Sequence, residues 1–141
     1  MVTQNILAQH FSTPGHGFVC VPIKTLCDLG VLDLVTPYSY VGTGEHLCNM
    51  KGYAYLEEDC DANMIYSALD FSNVTYDEYC GFDLEQQMFE VYGSEQEWRN
   101  NLRRINRYSL MQQGFFNKTI DPALLEHLKA ECRHLRNEED Y

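Results

Sequence analysis

Positive charge is scarce through most of this chain. Residues 1–98 carry only Lys24 and Lys51 against fifteen acids, whereas residues 99–141 carry eight basic residues against six acids. The net charge is −11. A surface so poor in cations repels phosphate backbones and attracts basic partners. Direct nucleic-acid binding is therefore disfavoured outside the arginine cluster at 99–107. Long apolar runs are missing too, so no membrane span is expected. Residues 1–5 lack the basic flank of a signal peptide, which points to a cytoplasmic location. The six cysteines include no C-x-x-C pair, and free, mostly buried thiols are the expectation. Also absent are internal repeats, low-complexity tracts, EF-hand spacing, a P-loop and a dinucleotide fingerprint.

What is present fits one domain of 141 residues, 45% hydrophobic and 22% charged. The order of patterns argues for an α+β fold: a small antiparallel sheet with helices packed on it and a helical C-terminal half. The sheet-containing part is placed at 1–73 and the helical part at 74–141. Residues 1–12 read as a frayed or edge segment. Phe18-Val19-Cys20-Val21 reads as a buried strand ended by Pro22, which can open a helix over Ile23 to Leu29 with Gly30 as its stop. Residues 38–41 are expected to pair antiparallel with 53–56, where Tyr53, Tyr55 and Glu57 alternate with Ala54 and Leu56. A helix then runs from about Asp61 to Phe71, with Met64, Ile65, Ala68 and Leu69 on one face. From Tyr76 the chain reads as mostly helical. Asp83 caps one segment, Ser94 with Glu97 resembles a capping box, and Asp121-Pro122 is the clearest helix start.

The segment Glu57-Glu58-Asp59-Cys60-Asp61 carries four carboxylates in five residues. Such a cluster could bind a hard cation. Neighbours on a strand point to opposite faces, however, so helix capping beside a solvated negative edge is the simpler account. His16, between Gly15 and Gly17, is a candidate base or phosphate contact in a flexible loop; a locally bonded turn is the simpler account. His46 with Cys48, and His127 with Cys132 and His134, lack standard zinc spacing. No metal and no cofactor are expected. Tyr38, Tyr40, Tyr53 and Tyr55 are placed on one sheet face, either as interface anchors or covered by the C-terminal helices. The arginines at 99–107 are expected to pair with the acidic first half, or with Glu95 and Glu97.

Four motifs carry a resemblance: Pro14-Gly15-His16-Gly17, Val21-Pro22, Tyr38-Ser39-Tyr40, and the run Tyr55-Leu56-Glu57-Glu58-Asp59-Cys60-Asp61. Over roughly residues 11–71 the chain resembles a family of small proteins of bacteriophages and other mobile elements. The resemblance implies an accessory protein. It brings no activity, and so no catalytic residue. Together with the charge, it leads to an expected role: a non-enzymatic protein that binds and inhibits a basic host protein. A nucleic-acid-handling or defence system, such as restriction or CRISPR, is the expected target, met by an acidic surface that mimics nucleic acid. The partner-binding candidates are Glu57, Glu58, Asp59, Asp61, Asp77 and Glu78, flanked by Tyr53 and Tyr55. One alternative is a small-ligand-binding protein or enzyme using Gly15, His16 and Gly17. Another is a homo-oligomeric assembly protein with an apolar patch around Trp98 or Phe115-Phe116.

Overall fold

The computed structural model describes residues 6–12, 17–36, 38–46, 48–80, 82–105, 114, 118–132 and 135; for 6–12, 59, 76–80, 82 and 83 it describes the backbone alone. Strand β1 (Ile6–Ser12) is followed by β2 (Gly17–Pro22) and helix α1 (Ile23–Leu29). A 3-10 turn (Leu32–Leu34) leads to β3 (Tyr40–Val41), then to the small hairpin β4 (Glu45–His46) and β5 (Asn49–Met50). Next come β6 (Tyr53–Glu57), one wide turn of π-helix (Glu58–Ala62) and α2 (Asn63–Phe71). The second half holds β7 (Tyr76–Cys80), α3 (Phe82–Tyr92), α4 (Glu95–Asn100), β8 (Arg103–Arg104) and α5 (Pro122–Glu131).

The main sheet has the order β7-β1-β2-β6-β3-β8. Its centre, β1-β2-β6-β3, is antiparallel, with Phe18 opposite Glu57, Val21 opposite Ala54, and Tyr40 opposite Tyr55. The expected pairing of 38–41 with 53–56 thus forms, limited to Tyr40 and Val41. The fold is α+β, as composition and patterning imply.

Two expectations are corrected at the sheet margins. Residues 1–12 were placed at an edge, yet β1 lies inside the sheet between β2 and β7. The stretch from Tyr76 was assigned to helix, yet Tyr76–Cys80 is a strand, parallel to β1. Val74, Thr75, Tyr76 and Tyr79 are β-formers, and a partner strand rewards that propensity. Among the described residues the second half is mainly helical, and it contributes β7 to one edge of the sheet and β8 to the other.

Period-two alternation divides the core. Val19, Val21, Val41, Ala54 and Leu56 point to one face, where they pack with Ile23, Leu26, Ile65, Leu69, Leu124 and Leu128 from α1, α2 and α5. Phe18, Cys20, Tyr40 and Tyr55 point to the other, where they pack with Leu84 and Met88 of α3, Trp98 of α4, and Leu102. Burying each large apolar side chain contributes about 1.5–3 kcal/mol, so both faces supply driving force for the layering.

The predicted helix signals work locally. Gly30, at φ 78°, ends α1 by donating to Cys27 O, and Val31 N donates to Leu26 O. Ser94 Oγ accepts from Glu97 N, and Asp121 Oδ1 accepts from Ala123 N. No helix among the described residues is long and apolar enough to cross a membrane.

Candidate functional site

Where β6 runs out, the second face of the sheet opens into a cleft of about 270 Å³ lined by Phe18, Tyr38, Tyr40, Glu57, Cys60, Arg99 and Arg104. Its floor is aromatic because β2, β3 and β6 each turn a ring to this face. Trp98, fully buried, sits among them. Its ring centroid is 5.2 Å from Phe18, 6.1 Å from Tyr55 and 6.2 Å from Tyr40, with edge-on or tilted planes. Its Nε1 donates to Cys48 O at 2.6 Å, which fixes the indole.

Anchoring Trp98 also aims its neighbour. Arg99 follows it on α4 and holds its guanidinium carbon 5.9 Å from the Phe18 centroid. One Nη donates to Glu95 Oε1 at 3.1 Å, the local ion pair expected from the i,i+4 spacing. Arg104 reaches the cleft from β8, which pairs with β3 by placing Arg104 opposite Tyr40. Its guanidinium carbon is 5.3 Å from the Tyr40 centroid. Each such cation–π contact contributes about 0.5–1 kcal/mol at an exposed site.

A buried carboxylate organises the walls. Asp61 accepts from Thr36 N at 2.9 Å and from Thr36 Oγ1 at 2.7 Å, and also from Ser39 Oγ. Ser39 Oγ in turn accepts from Glu57 N at 2.9 Å, and Ser39 O accepts from Ile105 N at 2.9 Å. Asp61 fixes Thr36 and Ser39, and Ser39 ties the segment carrying Tyr38 and Tyr40 to the end of β6 and to the residue after Arg104. Glu57 adds a further tie: its Oε2 accepts from Cys60 N at 3.0 Å across the wide turn.

The predicted acidic site divides accordingly. Asp61 is 0% exposed, so it cannot present charge to a partner; its position after the strand places it under the turn rather than on it. Tyr55 is also 0% exposed, with its hydroxyl accepting from Met50 N at 2.8 Å, and cannot serve as a surface anchor. Tyr53 is half-buried against the second face. Glu57 lines the cleft, and Glu58 is exposed. The Glu58 carboxylate lies directly over Gly17, in the space a side chain at that position would fill. The glycine loop and the acidic turn therefore meet at Gly17. Gly15 and His16 lie outside the described residues, as do the side chains of Asp59, Asp77, Glu78 and Asp83. Of the tyrosines assigned to one face, Tyr40, Tyr53 and Tyr55 share it beneath α3 and α4, while Tyr38 precedes the strand and is 67% exposed. Trp98, the expected centre of an apolar patch, is interior and offers no surface of its own; Phe115-Phe116 lies outside the described residues.

No protein-family model, curated protein or solved structure matches the chain.

The chemistry of the cleft is thus read from its own groups. Two guanidinium groups offer forked donors to an anion, Glu57 offers acceptor oxygens, and Tyr38 and Tyr40 offer ring surface. Arg99, Arg104, Phe18 and Cys60 are absent from the predicted set. The available signal was the placement of Arg99 beside the only tryptophan, which a helix must bury. Two thiols buried behind the cleft are held protonated. Burial pushes the Cys20 thiol up to about 12 and the Cys48 thiol up to about 11, so neither is a nucleophile near neutrality. No group of three or more metal-ligating side chains converges among the described residues. His127 instead bonds Ser67 Oγ through Nε2 at 3.0 Å and stacks near Phe71.

Proposed function

We propose that the protein is a small binding protein whose recognition site is the cleft between β3, β6 and α4, and that the ligand is a small organic anion bearing a flat ring. The observation that carries this reading is the convergence of Arg99 and Arg104 on one aromatic-lined cleft, in a chain otherwise poor in cations. The arginines would take the anionic end, and Tyr38 and Tyr40 the ring. The volume of about 270 Å³ lies at the small end of ligand sites, which suits a one- or two-ring compound. The net charge of −11 opposes anion entry at long range, but salt screens charges beyond about 8 Å at physiological ionic strength. The lining itself carries two guanidinium groups against one carboxylate, Glu57, whose Oε2 already accepts from Cys60 N.

Thermal shift with a panel of ring-bearing carboxylates and phosphates, phenyl phosphate included, tests this reading. A compound bound at a hundred times its Kd stabilises by about 2.7 kcal/mol, a shift that is easily measured. Arg104→Ala and Tyr38→Ala, both at exposed positions, are expected to abolish that shift; Tyr38→Ala should leave the intrinsic melting temperature unchanged, and Arg104→Ala should lower stability by about 0.5–1 kcal/mol through loss of its contact with Tyr40. Equal shifts in the variants and the parent would remove the cleft from consideration.

The net charge favours a second reading, inhibition of a basic host protein by an acidic surface, in line with the resemblance to mobile-element proteins. Glu58 supplies an exposed acid for it, as do Asp28, Asp33, Asp70 and Glu97. Here capture of a purified basic defence nuclease should vanish with rising salt and with charge reversal at Glu58. Capture indifferent to both changes would eliminate the electrostatic mechanism.

A further inference from the structure

Arg99 rests in an incomplete arrangement. One Nη donates to Glu95 Oε1 at 3.1 Å, while Nε is buried without a hydrogen-bond partner among the described residues. Buried donors are nearly always satisfied, and an exception calls for an explanation. Nε–H and Nη2 lie on one side of the guanidinium and together match two oxygens of a carboxylate or phosphate; at rest Glu95 takes the Nη2 half of this fork and the Nε half is unused. Glu95 is one turn away on the same helix, and such i,i+4 pairs hold weakly. Both side chains of the pair keep about a quarter of their surface in solvent, 24% and 21%, so water is at hand to receive Glu95. The guanidinium already borders the cleft beside Phe18.

We infer that Arg99 is a ligand-driven clamp, which leaves Glu95 when an oxyanion enters the cleft and grips it through Nε and an Nη. The inference rests on the reading of the cleft as an organic-anion site. It adds that the anion is forked, a carboxylate or a phosphate, and that Glu95 competes with it for Arg99. Arg104, stacked on Tyr40, would be the fixed anchor, and Arg99 the movable one. Arg99→Lys keeps the charge but loses the fork, so the clamp predicts more than an electrostatic requirement.

The test is titration of the full chain, labelled with nitrogen-15, with phenyl phosphate, benzoate and, as the uncharged control, benzamide. The readouts are affinity and the Arg99 Nε–Hε resonance. Both anions are expected to move that resonance downfield as the bond forms, and benzamide to leave it in place. Glu95→Gln should tighten binding by about twofold, the strength of a helix-surface pair. Arg99→Lys should weaken it about tenfold. If the anions bind and require Arg104, yet the Arg99 resonance and Glu95→Gln have no effect, the clamp is overturned and the cleft stands. If neither anion binds, or binding ignores Arg104, the cleft reading fails and the clamp with it.

Discussion

The two faces of the sheet are built by the same alternation and end differently. The face under α1, α2 and α5 is closed by aliphatic side chains: Val19, Val21, Leu56, Ile65, Leu69 and Leu128 are each almost fully buried. The face under α3 and α4 is aromatic, with Phe18, Tyr40, Tyr55 and Trp98 beside Cys20 and Cys48, and one end opens into the arginine-lined cleft. Branched aliphatic groups interlock without polar atoms to satisfy. Aromatic groups bring hydroxyls and ring nitrogens that need partners, and flat surfaces on which a cation or a ligand can stack. The first face therefore reads as stability and the second as stability combined with recognition.

That division is broken most directly by cutting one large side chain from each face. Ile65→Ala should cost about 2–5 kcal/mol in urea denaturation, through lost burial and an unfilled cavity. Phenyl phosphate affinity of the folded fraction should be unchanged. Trp98→Phe removes less volume but leaves Cys48 O without its donor, a cost of about 1–3 kcal/mol, and it frees the Phe18 and Tyr40 rings that carry the arginines. Its signature is a smaller loss of stability with a clear loss of affinity. Equal losses of affinity in both variants would mean that the faces are not separable.

Much of this contrast was legible in the residues, though not its functional end. Alternation at Phe18–Val21 and Tyr53–Glu57 placed both faces, and cap chemistry placed Gly30, Ser94 and Asp121 correctly. Those signals are local. Strand β7 was missed because its reward is a parallel partner about seventy residues away, which local pattern does not reveal. The cleft was missed for a related reason. Arg99, Arg104 and Glu57 sit on three different elements and Tyr38 in the turn before β3, and only the folded sheet brings them together. The run of acids at 57–61 drew attention by its density, yet its members diverge. Glu57 lines the cleft, Glu58 covers Gly17, and Asp61 is interior.

Asp61 sharpens the comparison because it belongs to neither face and holds the open end in shape. Asp61→Ala would leave Thr36 N, Thr36 Oγ1 and Ser39 Oγ seeking acceptors in a buried site. With about 1–3 kcal/mol for each group that finds none, a loss of about 3 kcal/mol is expected. Asp61→Asn keeps one acceptor oxygen and should cost roughly half as much. Both should weaken binding at the cleft more than Ile65→Ala does, since Tyr38, Tyr40 and Glu57 lose their common tie. Undiminished affinity in a folded Asp61→Ala protein would show that the walls do not depend on it.

The smallest expected effect separates the faces by their response to alkali. In the folded protein the Cys20 thiol is raised from 9.0 to about 12 and the Cys48 thiol from 9.0 to about 11, in both cases chiefly by burial; the Tyr55 hydroxyl beside Cys20 is raised as well. Below pH 9 these thiols are protonated whether the chain is folded or unfolded, and they exert no pull. As pH rises past 9 the unfolded chain gives up protons that the folded chain retains, so stability falls until the folded thiols also ionise. The slope per thiol approaches about 1.4 kcal/mol per pH unit, acting between pH 9 and about 11 for Cys48 and about 12 for Cys20. On the aliphatic face Cys132 is raised too, by burial and then by Glu131, so the decline does not belong to one face alone. Urea denaturation at pH 8 and pH 10 should show parental stability falling, and Cys20→Ala with Cys48→Ala should remove the larger share of that fall. A double variant that declines as steeply as the parent would move the alkaline sensitivity away from the aromatic face. The contrast between the two faces would then rest on shape and stacking, with no part played by ionisation.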